Sequence, residues 1–211
     1  PIKNDCVSPI RLSMMISKCT GVRMDMDGRY RWIVFLPSKN HDVGALNRYY
    51  GLFEDGTFKI RGVEYRQKNS PVFLKNMQGD MIGVFSKAGC VKEFIDLIPS
   101  AVEVLCDYGK RLVDNAFKWE DLIFSNCVSR DVSEYKVNNL VKSSLFQLRD
   151  LGIHIEPGQS IRYVVCDEHA RDYRKRVCIF EKLDDCYSID VDFYLRQIAM
   201  YGESLLVPFG F

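Results

Sequence analysis

The chain has 211 residues, 47% of them hydrophobic and 27% charged, with a formal net charge of +1, the balance of a globular protein able to bury a core. No run approaches the roughly 20 apolar residues of a membrane-spanning helix, and Pro1 to Asp5 lack a charged-then-apolar signal layout. Near-neutral charge excludes a basic tail protein, so a polyanionic partner would have to meet clustered cations. Arg48 to Lys68, and Arg171 to Arg176 (RDYRKR), supply such clusters.

From the N-terminus, Ser8 caps, Pro9 enters the first turn and Gly21 ends a helix. A turn at Asp27-Gly28 precedes a strong strand from Arg29 to Leu36 (RYRWIVFL). Two further strands, Leu46 to Phe53 and Thr57 to Gly62, flank the hairpin signal Asp55-Gly56. Beyond Ser70-Pro71 the pattern turns helical. One helix is expected over Pro71 to Ser86, and another over Val91 to Val113 that Pro99 kinks or splits. Strands are expected over 122–128, 160–166 and 176–182. A helix over Val137 to Leu151 carries apolar residues at 137, 140, 141, 145, 148 and 151 and stops at Gly152. A last helix starts at Asp190 and runs to about Leu206, before Pro208. The class is therefore α+β, with a strand-rich piece joined near residue 70 to a mostly helical one.

The eight cysteines, at 6, 19, 90, 106, 127, 166, 178 and 186, show no C-x-x-C spacing, which argues against a zinc ribbon. Buried free thiols in a reducing cytosol are the expectation. Asp25 and Asp27, two apart on an extended segment, could hold a divalent metal or merely form a solvated strand end. No serine elbow, H-E-x-x-H or P-loop is present, so a self-contained enzyme is hard to assemble. The hairpin says more. Asn47, Arg48 and Tyr49 lie on one strand, while Lys59 and Arg61, two apart on its partner, project from one face. Cations beside an aromatic on a sheet face suit a phosphodiester backbone, or else form a solvated face.

The segments YRWIVFLPSK, NRYYGLFEDG and KIRGVEYRQKNSP resemble family B DNA polymerases just downstream of their metal-binding D-T-D segment. They look most like the archaeal branch. Asn47, Arg48, Tyr49 and Gly51 stand for the family's K-K-x-Y-x-G element. Lys59, Arg61, Gly62, Glu64, Arg66 and Pro71 stand for its K-x-R-G-x-E-x-R-R-x-D-x-P segment. LIFSNCVSRDVSEY resembles the thumb strand, with Ser125, Ser129 and Arg130 at phosphate-contact positions. The segment from 147 to 167 and Asp190 to Tyr194 follow the family's later thumb pattern. Asn47 replaces a usual lysine, and Gln67 and Asn69 replace an arginine and an aspartate. The signatures D-x-x-S-L-Y-P, K-x-x-x-N-S-x-Y-G and D-T-D are missing; in register, D-T-D would end just before Pro1.

The resemblance implies an antiparallel remnant of the palm sheet with its hairpin over residues 1–72, followed by a mostly helical thumb over 73–211. It implies the small subunit of a split DNA-directed DNA polymerase, inactive alone and cytoplasmic. Its partners would be a large catalytic subunit, primer–template DNA and dNTP, with no membrane. Mg would be held mainly by the partner chain; catalytic and metal-ligating residues are none here. DNA contacts would come from Asn47, Arg48, Tyr49, Gly51, Lys59, Arg61, Gly62, Arg66, Ser125, Ser129 and Arg130. Two alternatives stay open: a non-catalytic nucleic-acid-binding protein derived from the polymerase thumb, and a metal-dependent enzyme using Asp25 and Asp27.

Overall fold

A computed structural model describes residues 8–38, 41–137 and 139–210 of the chain. The fold is α+β, with two three-stranded antiparallel sheets and six α-helices among the described residues. None of these helices is long and apolar enough to cross a membrane.

Helix α1 (Pro9–Thr20) forms where the caps require it. The Ser8 hydroxyl accepts from the Arg11 N–H at 3.3 Å, and Gly21 closes the helix in the left-handed conformation. An extended segment then leads into the first sheet, β1 (Tyr30–Ser38), β2 (His41–Phe53) and β3 (Phe58–Arg61), in that order. Asp55 tightens the β2–β3 turn by accepting from both the backbone and the hydroxyl of Thr57. Strand alternation buries Trp32, Leu36, Tyr50 and Leu52 on the inner face.

Against that face pack α2 (Val72–Phe85), α3 (Val91–Asp96) and α6 (Val191–Leu206). Phe94 of α3 meets Trp32 edge-on at 5.1 Å between centroids and stacks on Phe85 at 4.0 Å. The Tyr50 hydroxyl donates to the Leu205 carbonyl at 3.0 Å, tying β2 to the end of α6. Pro99 does split the expected long helix: α3 ends before Leu97, and α4 (Ile98–Val113) starts with Pro99 in its first turn.

The second sheet is β4 (Phe124–Cys127), β5 (Ser160–Val165) and β6 (Val177–Ile179). β6 is shorter than expected, because residues 180–185 turn into a 3₁₀ stretch. α5 (Leu140–Asp150) begins later than its apolar stripe. Asn139 caps it by accepting from the Lys142 N–H at 2.8 Å, which leaves Val137 outside the helix and exposed. One connected apolar cluster runs from Trp32 through the helices to Tyr163 and Leu206.

The expectation of buried thiols fails for most cysteines. Among the described residues Cys178 alone is buried, Cys166 and Cys186 are half-buried, and Cys19, Cys90, Cys106 and Cys127 are exposed. Short apolar neighbours are a poor guide here, since on a helix or strand they mark adjacent positions that point elsewhere. Cys6 lies outside the described residues.

Candidate nucleic-acid interface

The outer face of the first sheet is partly covered by the extended segment before β1, which sets Gly28 against the buried Phe53 ring and Asp27 on the half-buried Lys59. Cross-strand pairs Tyr49↔Arg61 and Gly51↔Lys59 place these four residues on that face, and alternation adds Asn47, which is exposed. Phe35, paired with Tyr49, lies beside it with ring centroids 5.8 Å apart and is 52% exposed. Tyr30 stacks on Phe53 at 4.3 Å and lies across Gly51, where a Cβ would come within 2.9 Å of its ring. The result is a rigid strip of aromatic rings with two cations at its edge.

The Lys59 ammonium pairs with the Asp27 carboxylate. This bond is the main reason that the Lys59 pKa is raised and that of Asp27 lowered. Arg61, exposed beyond it, is close enough to lower Asp27 further. Burial, then the neighbouring Tyr49, raise the Tyr30 pKa. Both Lys59 and Arg61 are positively charged at neutral pH.

Arg48 points the other way. Its guanidinium donates to the carbonyls of Pro37 at 2.9 Å and Gly62 at 3.2 Å, and lies 3.7 Å from the Glu64 carboxylate. Glu64 is itself buried and accepts from Gln78 of α2 and Ser204 of α6. Arg48 thereby joins a polar network that fastens the sheet to two helices. Gly62 adopts φ +64°, and a Cβ there would fall 2.2 Å from the Asn47 carbonyl oxygen. Arg66 is exposed at the end of the 3₁₀ turn 64–66.

The remaining predicted residues belong to the second sheet and its exit. The Ser125 N–H donates to the Asn69 carbonyl at 3.3 Å, joining β4 to the segment that follows the hairpin. Ser129 and Arg130 are exposed just before a 3₁₀ turn, 132–134, closed by a capping box between Asp131 and Glu134. Arg162 sits directly across from Ser125, exposed, with its guanidinium 3.5 Å from the Phe180 ring centroid. The sequence reading did not select Arg162. The alternation in SIRYVV carried the signal, since Ile161 and Tyr163 are both buried and Arg162 between them must face out.

Asp25 and Asp27 do not converge. Asp25 pairs with Arg23 at 3.1 Å and Asp27 with Lys59. The described residues contain no group of three His, Cys, Asp or Glu side chains arranged to hold a metal ion.

A family model described as DNA polymerase family B matches residues 21–208. The chain is 24% identical over 189 residues to DNA polymerase 1 of Saccharolobus solfataricus, covering 89% of this chain and 20% of that protein. It is 24% identical over 210 residues to DNA polymerase 2 of Aeropyrum pernix, covering 99% of this chain and 24% of that protein. The structure of the family B DNA polymerase from Pyrobaculum calidifontis superposes with a TM-score of 0.66 at 21% identity, over 94% of this chain and 24% of that one. The chain thus spans about a fifth to a quarter of the length of these relatives. With the match running through both sheets and all but the first helix, this chain belongs to DNA polymerase family B.

Proposed function

We propose that this chain is the palm-and-thumb portion of an archaeal-type DNA polymerase, with residues 1–72 the back of the palm and 73–211 the thumb. It works as a small subunit beside a larger chain. The observation that carries this reading is the outer face of the β1–β3 sheet: Tyr49, Lys59 and Arg61 stand together, Arg61 exposed and the other two half-buried, on a sheet anchored from behind by Tyr50 and Arg48. Such a face grips a primer backbone through charge and rigid hydrogen-bonding rings without reading bases. Ser125, Arg162, Ser129 and Arg130 offer a second set of phosphate donors.

The reaction is nucleotidyl transfer: the primer 3′-hydroxyl attacks the α-phosphate of a dNTP. On this reading the carboxylates and the Mg ions they hold belong to the larger chain, and Asp25 and Asp27, which pair with Arg23 and Lys59, take no part. This chain contributes the placement of the primer end. Misplacement by about 1 Å costs on the order of 100-fold in rate, so the larger chain alone should extend primers poorly. Primer extension by the larger chain, with and without this one, is the test. Stimulation of roughly 100-fold is expected; no stimulation rejects the subunit reading, and duplex binding without stimulation supports the non-catalytic alternative.

A further inference from the structure

Three of the cysteines, distant in sequence, meet at one edge of the second sheet. Cys166 follows β5, Cys178 lies in β6, and Cys186 ends the 180–185 turn. The sulfurs of Cys166 and Cys186 are 3.6 Å apart. Cys178 is near enough to share a hydrogen bond with Cys186, while its own thiol lies 3.1 Å from the Lys182 carbonyl. All three line an open groove whose charged residues balance, Arg174, Lys175 and Lys182 against Asp150, Asp167 and Asp185, with Arg174 paired to Asp150 at 3.0 Å. A small solute can therefore reach the sulfurs.

We propose that Cys166 and Cys186 form a reversible redox centre that closes to a disulfide when a hydroperoxide enters this groove. The two side chains already aim at each other, and closure needs a further approach of about 1.5 Å to reach a bond near 2.05 Å. Hydrogen bonds from Cys166, then Cys178, hold the Cys186 pKa well below that of a free thiol. The shared bond with Cys186, then burial, raise those of Cys166 and Cys178. Cys186 alone touches both other thiols, and the first attack is assigned to it on that position.

The chemistry balances with the peroxide as oxidant. The Cys186 sulfur attacks one peroxide oxygen and breaks the O–O bond, giving a sulfenic acid and an alkoxide or hydroxide that takes up the proton Cys186 lost. The Cys166 sulfur then attacks the Cys186 sulfur. The S–S bond forms, and water leaves with the Cys166 proton. Two electrons pass from the thiol pair to the peroxide. The bond would tie the end of β5 to the segment entering α6, enclosing β6 between its ends.

The four exposed cysteines serve as internal controls, because Cys19, Cys90, Cys106 and Cys127 are more accessible. The experiment treats the intact chain with a small excess of hydrogen peroxide, alkylates remaining thiols, and maps the unreduced peptides by mass spectrometry. A Cys166–Cys186 linked peptide should appear about tenfold faster than oxidation at any exposed cysteine. Dithiothreitol should remove it, and it should be missing in Cys186→Ser. Equal oxidation rates across all cysteines would overturn the proposal. So would a dominant Cys178–Cys186 or intermolecular bond, or accumulation of Cys186 sulfinic acid without a disulfide.

Discussion

At the residue scale, the hairpin separates side chains on the outer face, where DNA contact is proposed, from those that hold the sheet. Lys59 and Arg61 belong to the first group. Replacing both by Ala should weaken duplex binding at every sequence alike and reduce the slope of log K against log salt by about 1.8, at roughly 0.9 per phosphate contact. A slope equal to wild type, measured by fluorescence anisotropy across a salt series, would contradict the assigned contacts. Gly62 belongs to the second group. Ala there takes on the left-handed penalty of roughly 1–2 kcal/mol and also drives a Cβ into the Asn47 carbonyl. Gly62→Ala should therefore lose more than about 2 kcal/mol in urea unfolding. A loss within 0.5 kcal/mol, roughly that of a neutral surface change, would show that the turn relaxes freely. Arg48 shows what sequence could not convey. Its neighbours in sequence are a tyrosine and an asparagine of the outer-face strip, yet alternation turns it to the inner face. Its partners Pro37, Gly62 and Glu64 come from two other segments, the end of β1 and the stretch after β3. Residue type and spacing suggested a phosphate contact; only the tertiary fold reveals the carboxylate behind the sheet.

At the element scale, legibility followed locality. The β2–β3 hairpin was readable because Asp55-Gly56, flanked by alternating strands, specifies its own turn within a few residues. Helix α6 was readable for the same reason: Asp190 accepts from the Phe193 N–H at 2.8 Å, a bond spanning three residues. β6 was not, because RVCIFEK keeps a strand-like composition throughout, yet the chain leaves the ladder at Ile179, opposite Tyr163, while β5 still continues through Arg162 to Ser160 on that side. From Phe180 it coils into the 180–185 turn instead. What fastens α6 to the second sheet is likewise remote. The Tyr194 hydroxyl accepts from the Val165 N–H at 3.1 Å and donates to the Leu122 carbonyl at 2.9 Å, fully buried. Tyr194→Phe preserves the ring and strips both bonds, leaving a buried donor and a buried acceptor. The expected cost is about 3 kcal/mol, a fall in Tm of roughly 6–12 °C for a chain of this size. A shift under about 2 °C would mean that Val165 and Leu122 find other partners.

At the scale of the whole molecule, the apolar cluster that unites the helices and both sheets leaves α1 out. No residue of α1 is buried, and Ile10 and Met14, one turn apart, are 56% and 65% exposed. A 12-residue helix with only its caps to support it is marginal in water, and the proposed larger chain gives its apolar side chains, Ile10 and Met14 with Leu12 and Met15, a surface to pack against. On the proposed function, the larger chain is the partner that would cover this face. Covering Ile10 and Met14 would contribute about 1.5–3 kcal/mol each. Ile10→Asp with Met14→Asp should therefore raise the Kd for the larger chain by at least 100-fold or so. The double variant should unfold by itself at the same urea concentration as wild type, because neither side chain is part of the core. Association measured by calorimetry, beside urea melts of the chain alone, separates the two effects. An unchanged Kd would place the partner elsewhere, and a destabilised lone chain would show that α1 packs on its own protein.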